Sequence, residues 1–153
     1  MLTIHPEAWR IILEHVAACY PQEGCGVLAG FPGAGEAVVA VACRNASPGD
    51  RRTRFHINPE EILTSLAQAR AQQPGQPIEL VGFFHSHPDR DPDFSAADRQ
   101  AGWHGCVNLV VAVRQAVPVA AACYRLDRTT GEIRPEPLAV FGVRSVPFTV
   151  AAP

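Results

Sequence analysis

The sequence predicts a mixed α/β domain with a central β-sheet, two main helices and a short third helix. Three observations favour this fold class. Two segments repeat apolar residues at helical spacing, several short apolar runs lie outside them, and clusters of proline and glycine separate the segments. The 153 residues, 47% of them hydrophobic and 18% charged, are ordinary for one globular domain, and we assign residues 1–153 to it.

Two long helices are predicted from apolar periodicity. The first begins near Pro6, because proline is favoured in a first turn, and ends before Pro21. Asn58 is predicted to cap the second helix, with Pro59 at its first position, and that helix continues to Pro74. The apolar face of the first helix comprises Trp9, Ile12, Leu13, Val16, Ala17 and Tyr20.

Strands are predicted at the remaining apolar runs. Residues 25–29 and 37–43 flank a segment rich in glycine and proline, which is typical of a hairpin. Gly131 marks a turn after Leu126, and Ser95 opens the short third helix. The other predicted strands are residues 55–57, 80–87, 107–113, 117–124 and, as an edge strand in the proline-rich tail, 138–143.

Composition argues against several classes of protein. The net charge of -2, without a long stripe of Lys and Arg, argues against nucleic acid as a partner. Five scattered cysteines without a C-x-x-C pair argue against a disulfide framework or a cysteine zinc site. The N-terminus lacks a signal peptide, and no apolar run approaches the ~20 residues that span a bilayer. We therefore expect a cytoplasmic protein without a membrane partner.

Two histidines stand at the end of one predicted strand, in the segment His85-Ser86-His87. Because alternate residues of a strand point to the same face, both imidazoles can reach one metal ion. Two hydrogen-bonding histidines are the commoner explanation of an isolated His-x-His. Ser95 and Asp98 follow, and on their own they match an ordinary helix capping box. The combined spacing is much rarer than either part and favours a metal site.

Asp98 is predicted in the first turn of the helix that Ser95 opens, where the helix dipole favours a carboxylate that can face the histidines. Two histidines and one carboxylate leave the fourth tetrahedral position of zinc open, as in catalytic zinc sites. Zinc in such a site lowers the pKa of a bound water to about 7 and polarises a carbonyl oxygen. The chemistry then needs a base that is not a ligand.

The segment 85–88, His-Ser-His-Pro, with Ser95 and Asp98 at this spacing, resembles the signature of JAMM (MPN-plus) zinc metallopeptidases. Residues 21–30 resemble that family's Pro-x-Glu-x-Cys-Gly-x-Leu-x-Gly stretch, and residues 81–84 resemble its run into the first histidine. The resemblance covers roughly residues 1–125 and rests on two separate segments. Phe94 departs from it, since many relatives have proline there.

The resemblance implies a curved central sheet of the cytidine-deaminase-like MPN/JAMM fold. It also implies zinc bound by His85, His87 and Asp98, with Glu23 as the catalytic base. Glu23 would take a proton from the attacking water and pass it to the leaving amine. The Ser95 hydroxyl would stabilise the oxyanion.

The implied substrate is a ubiquitin-like protein, in small stand-alone relatives a sulfur carrier, that is cleaved after its C-terminal Gly-Gly. A non-catalytic MPN-type scaffold and a zinc hydrolase acting on another small amide are the alternatives. A nucleobase deaminase is excluded, because the required combination of H-x-E with a downstream P-C-x-x-C is missing. The sequence leaves open the oligomeric state, the role of the proline-rich tail, and whether the acidic loop from Asp89 to Asp93 gates the site.

Overall fold

The computed structural model describes residues 1–142 and 149–150. Its helices are α1 (Pro6–Cys19), α2 (Pro59–Gln72) and α3 (Ala96–Ala101). Its strands are β1 (Leu2–Ile4), β2 (Cys25–Gly30), β3 (Glu36–Ala37), β4 (Val39–Cys43), β5 (Glu79–Pro88), β6 (Val107–Arg114), β7 (Val117–Leu126), β8 (Ile133–Glu136), β9 (Leu138–Val140) and β10 (Thr149–Val150).

The main sheet has seven strands, and its lateral order is β4-β2-β5-β6-β7, with β8 and β10 both pairing with the outer edge of β7. The pairs β5–β6 and β7–β10 are parallel, and the others are antiparallel. The predicted mixed α/β class with a central sheet is confirmed. Both long helices and the short helix after Ser95 are also present.

A second sheet of three parallel strands, β3-β1-β9, corrects two strand predictions. The predicted strand 37–43 is divided, because β3 pairs with β1 while β4 pairs with β2. The tail strand predicted at 138–143 is shorter, and it pairs with β1 rather than with the edge of the main sheet. Position 143 of that prediction lies outside the described residues.

The predicted strand at residues 55–57 is wrong, and this segment is an irregular loop. The side chain of Asn45 holds it, since its amide nitrogen donates to the carbonyl oxygen of Arg54 at 2.9 Å and its Oδ1 accepts from the backbone nitrogen of His56 at 3.3 Å. The cap predicted for α2 is also only partly present. Asn58 occupies the N-cap position before Pro59, but its side chain makes no capping hydrogen bond.

The two long helices lie on opposite faces of the main sheet, and alternation along β5 assigns each residue to one face. Phe84 packs in the core formed with Ile12 of α1, whereas Phe83 packs in the core formed with Ile62 of α2. His85 and His87 lie two and four positions after Phe83, so they project to the same face, which is that of α2. Within the described part of the chain, no helix is long and apolar enough to cross a membrane.

The parallel contact between β5 and β6 requires glycine at position 82. A Cβ atom on Gly82 would lie 2.1 Å from the carbonyl oxygen of Val107. We expect Gly82→Ala to force the strands apart and to lower the free energy of unfolding by about 3 kcal/mol, the upper end of ordinary overpacking costs. Urea unfolding measures this. Gly49→Ala is the control, because its Cβ would meet no atom nearer than 3.6 Å. Equal unfolding midpoints for both variants would contradict the prediction.

Candidate metal centre and active site

Three potential ligand side chains converge on the α2 face of β5. His85 Nε2 and His87 Nε2 are 3.3 Å apart, and each lies 3.1 Å from a different oxygen of the Asp98 carboxylate. All three residues are buried, with at most 4% of their surface exposed. The structure thus brings the three predicted ligands together into one group that could hold a metal ion.

Asp98 reaches the histidines because α3 begins with a capping box. Ser95 Oγ accepts a hydrogen bond from the Asp98 backbone nitrogen at 3.1 Å, and Asp98 Oδ2 accepts one from the Ser95 backbone nitrogen at 2.7 Å. The capping and metal-site interpretations of Ser-x-x-Asp are therefore compatible. One carboxylate caps the helix and also faces the two imidazoles.

One hydrogen bond of the His87 ring determines which of its two nitrogens carries the proton. His87 Nδ1 lies 2.8 Å from the carbonyl oxygen of Asp91. A carbonyl oxygen only accepts, so Nδ1 carries the proton and donates. In the neutral ring, Nε2 then directs its lone pair toward Asp98, which is how a metal-binding histidine is usually oriented.

The charge states in the cluster also suit a divalent cation. Burial lowers the pKa of His85, which favours a neutral imidazole. Burial would raise the pKa of Asp98, but the hydrogen bonds that the His85 and His87 rings donate when they are protonated outweigh it and hold that pKa well below its ordinary value. A carboxylate and two imidazole lone pairs so close together repel one another unless a cation lies among them.

The separations are consistent with zinc. Bonds of about 2.0–2.1 Å in a tetrahedral site place neighbouring ligand atoms about 3.3 Å apart. The observed separations are 3.1–3.3 Å. The residues present therefore fit zinc in both donor chemistry and spacing.

Glu23 lies beside this cluster but is not a member of it. The residue after it, Gly24, exchanges two hydrogen bonds with Ser86, the residue between the histidines. The Ser86 backbone nitrogen donates to the Gly24 carbonyl oxygen at 2.9 Å, and the Gly24 nitrogen donates to Ser86 Oγ at 2.8 Å. This link between β5 and the residue before β2 brings Glu23, from far upstream in the sequence, next to the predicted ligands.

The Glu23 carboxyl is deeply buried, with 1% of the side chain exposed, and Arg90 Nη2 donates to its Oε1 at 2.5 Å. Burial raises the pKa of Glu23 to about 7, while the charges of His87 and Arg90 partly oppose that rise. A carboxyl that titrates near neutrality is suited to exchange protons at physiological pH.

The raised pKa of Glu23 predicts that the metal-free protein loses stability as pH rises. The pKa of this carboxyl is 4.5 in the unfolded chain and about 7 in the folded protein. The folded state binds more protons between these values, so the free energy of unfolding falls as pH increases from 4.5 to about 7. At about 1.4 kcal/mol for each pKa unit, the loss is about 3 kcal/mol.

Metal-free Glu23→Gln has no such charge to bury. Urea unfolding with a chelator should therefore find the variant more stable than the wild type at pH 8, by up to about 3 kcal/mol, and similar to it near pH 4.5. A constant difference between the two proteins at all pH values would contradict this.

Sequence reasoning missed Phe55 and Arg90. Phe55 belongs to the loop that was predicted as a strand, and its ring stacks on His85 with centroids 4.4 Å apart. Arg90 stands in the loop after β5, and nothing in its sequence position signals its contact with Glu23. Next to Asp98 is a cleft of about 240 Å³, which is lined by Ser47, Arg54, Phe55, Ala97, Asp98, Gln100 and Ala101.

Comparison with known proteins agrees with this fold and site. The family described as prokaryotic homologues of the JAB domain matches residues 5–127. A relative named desampylase, from Haloferax volcanii, is 35% identical over 114 residues, which are 71% of this chain and 78% of the relative.

Solved structures show the same fold. The solution structure of a protein from Desulfitobacterium hafniense is similar with a TM-score of 0.75 and 21% identity, covering 92% of both chains. The crystal structure of a JAB1/MPN domain protein from Archaeoglobus fulgidus is similar with a TM-score of 0.54 and 18% identity. It covers 91% of this chain and 96% of the other.

The fold and the relatives together define the class of protein as a JAMM-type metallo-isopeptidase. Within that class, the chain belongs to the family of prokaryotic homologues of the JAB domain, the small prokaryotic branch of the JAMM/MPN proteins.

Proposed function

We propose that this enzyme uses zinc to hydrolyse the amide bond that follows the C-terminal Gly-Gly of a ubiquitin-like protein. The observation that carries the proposal is one buried cluster of His85 Nε2, His87 Nε2 and the Asp98 carboxylate beside the buried carboxyl of Glu23. That arrangement separates three ligands from one base, which is the division of roles that metal-assisted hydrolysis requires.

His85, His87 and Asp98 would hold the ion. When bound there, zinc supplies a Lewis acid that polarises the scissile carbonyl and acidifies water. The histidines contribute neutral donors, and the Asp91 carbonyl holds the His87 ring in the required orientation. Asp98 contributes the one negative charge among the ligands, and its position depends on the cap of α3.

Glu23 would act as general base and then as general acid. Its carboxylate accepts a proton from the attacking water and returns that proton to the nitrogen of the leaving amine. Burial and a pKa of about 7 suit both halves of this transfer, because the protonated and ionised forms are then close in free energy at neutral pH.

Ser95 would donate a hydrogen bond to the oxyanion that develops on the scissile carbonyl. Its Oγ accepts from the Asp98 backbone nitrogen, and a serine hydroxyl that accepts one hydrogen bond can still donate another. A donor fixed by a helix cap is preorganised, which is what makes oxyanion stabilisation effective.

The substrate class is inferred from the relative and from the shape of the site. The name desampylase denotes an enzyme that removes SAMP, a ubiquitin-like modifier. Phe55 and Ala97 line the cleft beside Asp98, and we propose that this cleft receives the glycine tail of the substrate. We further propose that a sulfur-carrier protein is one such substrate and that the enzyme acts in the cytoplasm.

Mass spectrometry of zinc-loaded protein mixed with ubiquitin-like carriers tests this proposal. Each carrier bears a short extension after Gly-Gly, and a matched carrier ends its tail in Ala-Ala before the extension. We expect cleavage directly after Gly-Gly, much slower cleavage after Ala-Ala, no cleavage with a chelator, and cleavage slower by about 100-fold or more with Glu23→Gln.

Each other outcome removes a specific part of the proposal. Zinc-loaded protein that cleaves none of the carriers would overturn the substrate class and favour another amide. Cleavage that persists in the chelated sample would overturn the role of the metal. Protein that binds no zinc would favour the non-catalytic scaffold.

A further inference from the structure

The two oxygens of the Glu23 carboxyl have different surroundings. Oε1 accepts a hydrogen bond from Arg90 Nη2 at 2.5 Å. Oε2 is buried and has no hydrogen-bond partner among the residues that the structure describes. A buried carboxylate oxygen without a donor is uncommon, because leaving such a group unpaired costs free energy. The asymmetry calls for a functional explanation.

The backbone of Glu23 is fixed, so the direction of its side chain depends on Arg90. The Glu23 nitrogen donates to the Arg51 carbonyl oxygen at 2.7 Å, and Asn45 Nδ2 donates to the Glu23 carbonyl oxygen at 3.1 Å. The bond from Arg90 is charge-assisted, the strong and directional kind of hydrogen bond. It therefore restrains the rotation of the carboxyl.

The residues on either side of Arg90 are anchored, which restrains Arg90 in turn. Tyr20 donates its hydroxyl proton to Asp89 at 2.7 Å, and Arg114 pairs with Asp91 at 2.7 Å. The carbonyl of Asp91 also accepts from His87 Nδ1. The acidic loop is thus bonded to the residue that ends α1, to β6 and to a predicted zinc ligand.

We propose that Arg90 is a positioning residue that holds Oε1 of Glu23, so that Oε2 is the atom that accepts the proton of the attacking water. The inference rests on the proposed function and extends it. The proton leaves the water for Oε2 while the electron pair of the broken O–H bond stays on the oxygen, which attacks the carbonyl carbon. Oε2 later returns that proton to the amine nitrogen, which keeps the electron pair of the broken C–N bond.

Arg90→Met tests this, because methionine keeps an unbranched side chain but donates no hydrogen bond. We expect kcat to fall about 100-fold, the cost of misplacing a catalytic group by about 1 Å, while KM and zinc content stay unchanged. Arg90→Lys should recover much of the loss, since an ammonium can still donate to Oε1. Arg128→Met, which removes an exposed arginine that lies beside Gly105, is the control.

Two further readouts separate positioning from a general structural role. In a Glu23→Gln background, Arg90→Met should cause no additional loss of kcat, since Arg90 acts through Glu23. Carboxyl carbon NMR should show the Glu23 resonance, identified by its absence in Glu23→Gln, shifted and broadened in Arg90→Met but not in Arg128→Met. That measurement needs no turnover.

Failure of this inference and failure of the proposed function are distinguishable. If the wild type cleaves after Gly-Gly and Arg90→Met has a normal kcat, the inference is overturned and the proposed function stands. An equal further loss in the Glu23→Gln background would also overturn it, because Arg90 would then act elsewhere. Zinc-loaded wild type without cleavage would overturn the proposed function, and the inference with it.

Discussion

Glu23→Gln is expected to bind zinc at the same stoichiometry as the wild type and to lose about 10²- to 10⁴-fold in kcat, the usual range for removing a general acid–base group. Glutamine has nearly the same shape, and its amide oxygen can still accept from Arg90. It cannot take up a proton from water near neutral pH. The three predicted zinc ligands are untouched, so the substitution separates metal binding from proton transfer.

Steady-state cleavage of an extended Gly-Gly carrier and metal analysis of the same sample measure both properties. Glu60→Gln is the matched control, because it makes the same chemical change at an exposed position in the first turn of α2. Normal turnover by zinc-loaded Glu23→Gln would overturn the assignment of Glu23 as the base. Loss of zinc from that variant would place Glu23 among the ligands instead.

Asp98→Asn is expected to weaken zinc binding by more than about 100-fold, because changing a hydrogen-bond partner of a ligand already costs about 10- to 100-fold. The carboxylate supplies the only negative charge in the ligand set, and an amide oxygen is a far weaker donor to a divalent cation. The amide oxygen can still accept from the Ser95 backbone nitrogen, so the cap of α3 survives in large part.

Competition with a chromophoric chelator measures the affinity, and cleavage at saturating zinc measures what activity remains. Asp93→Asn is the control, since Asp93 is an exposed carboxylate five positions upstream and outside the ligand cluster. Wild-type zinc affinity in Asp98→Asn would show that this carboxylate is a helix cap and no ligand. Equal losses in both variants would point to general electrostatics rather than to coordination.

Much of the cluster of His85, His87 and Asp98 could be predicted from local sequence. Alternation along one strand places His85 and His87 on the same face, and a capping box places Asp98 in the first turn of the next helix. These relations span few residues and follow from backbone geometry, so they need no knowledge of the fold. Both long helices were predicted for the same reason, because their apolar periodicity is local.

The errors occur where pairing is not local. Strand β1 has three residues, too few for a periodic signal, and without it neither the division of residues 36–43 nor the position of β9 could be predicted. Residues 55–57 have the composition of a strand, but side-chain hydrogen bonds from Asn45 hold them as a loop. Context of this kind overrides the local preference of a short segment.

The sequence by itself determined the class of chemistry, because the donors His85, His87 and Asp98 are close along the chain and their spacing carries the information. Only the tertiary structure decided the surroundings of Glu23. The pairing of Gly24 with Ser86 brings that carboxyl to the cluster, burial raises its pKa to about 7, and Arg90 binds one of its two oxygens. The strength and direction of a base depend on desolvation and on contacts between segments distant in the chain, and no local spacing encodes either.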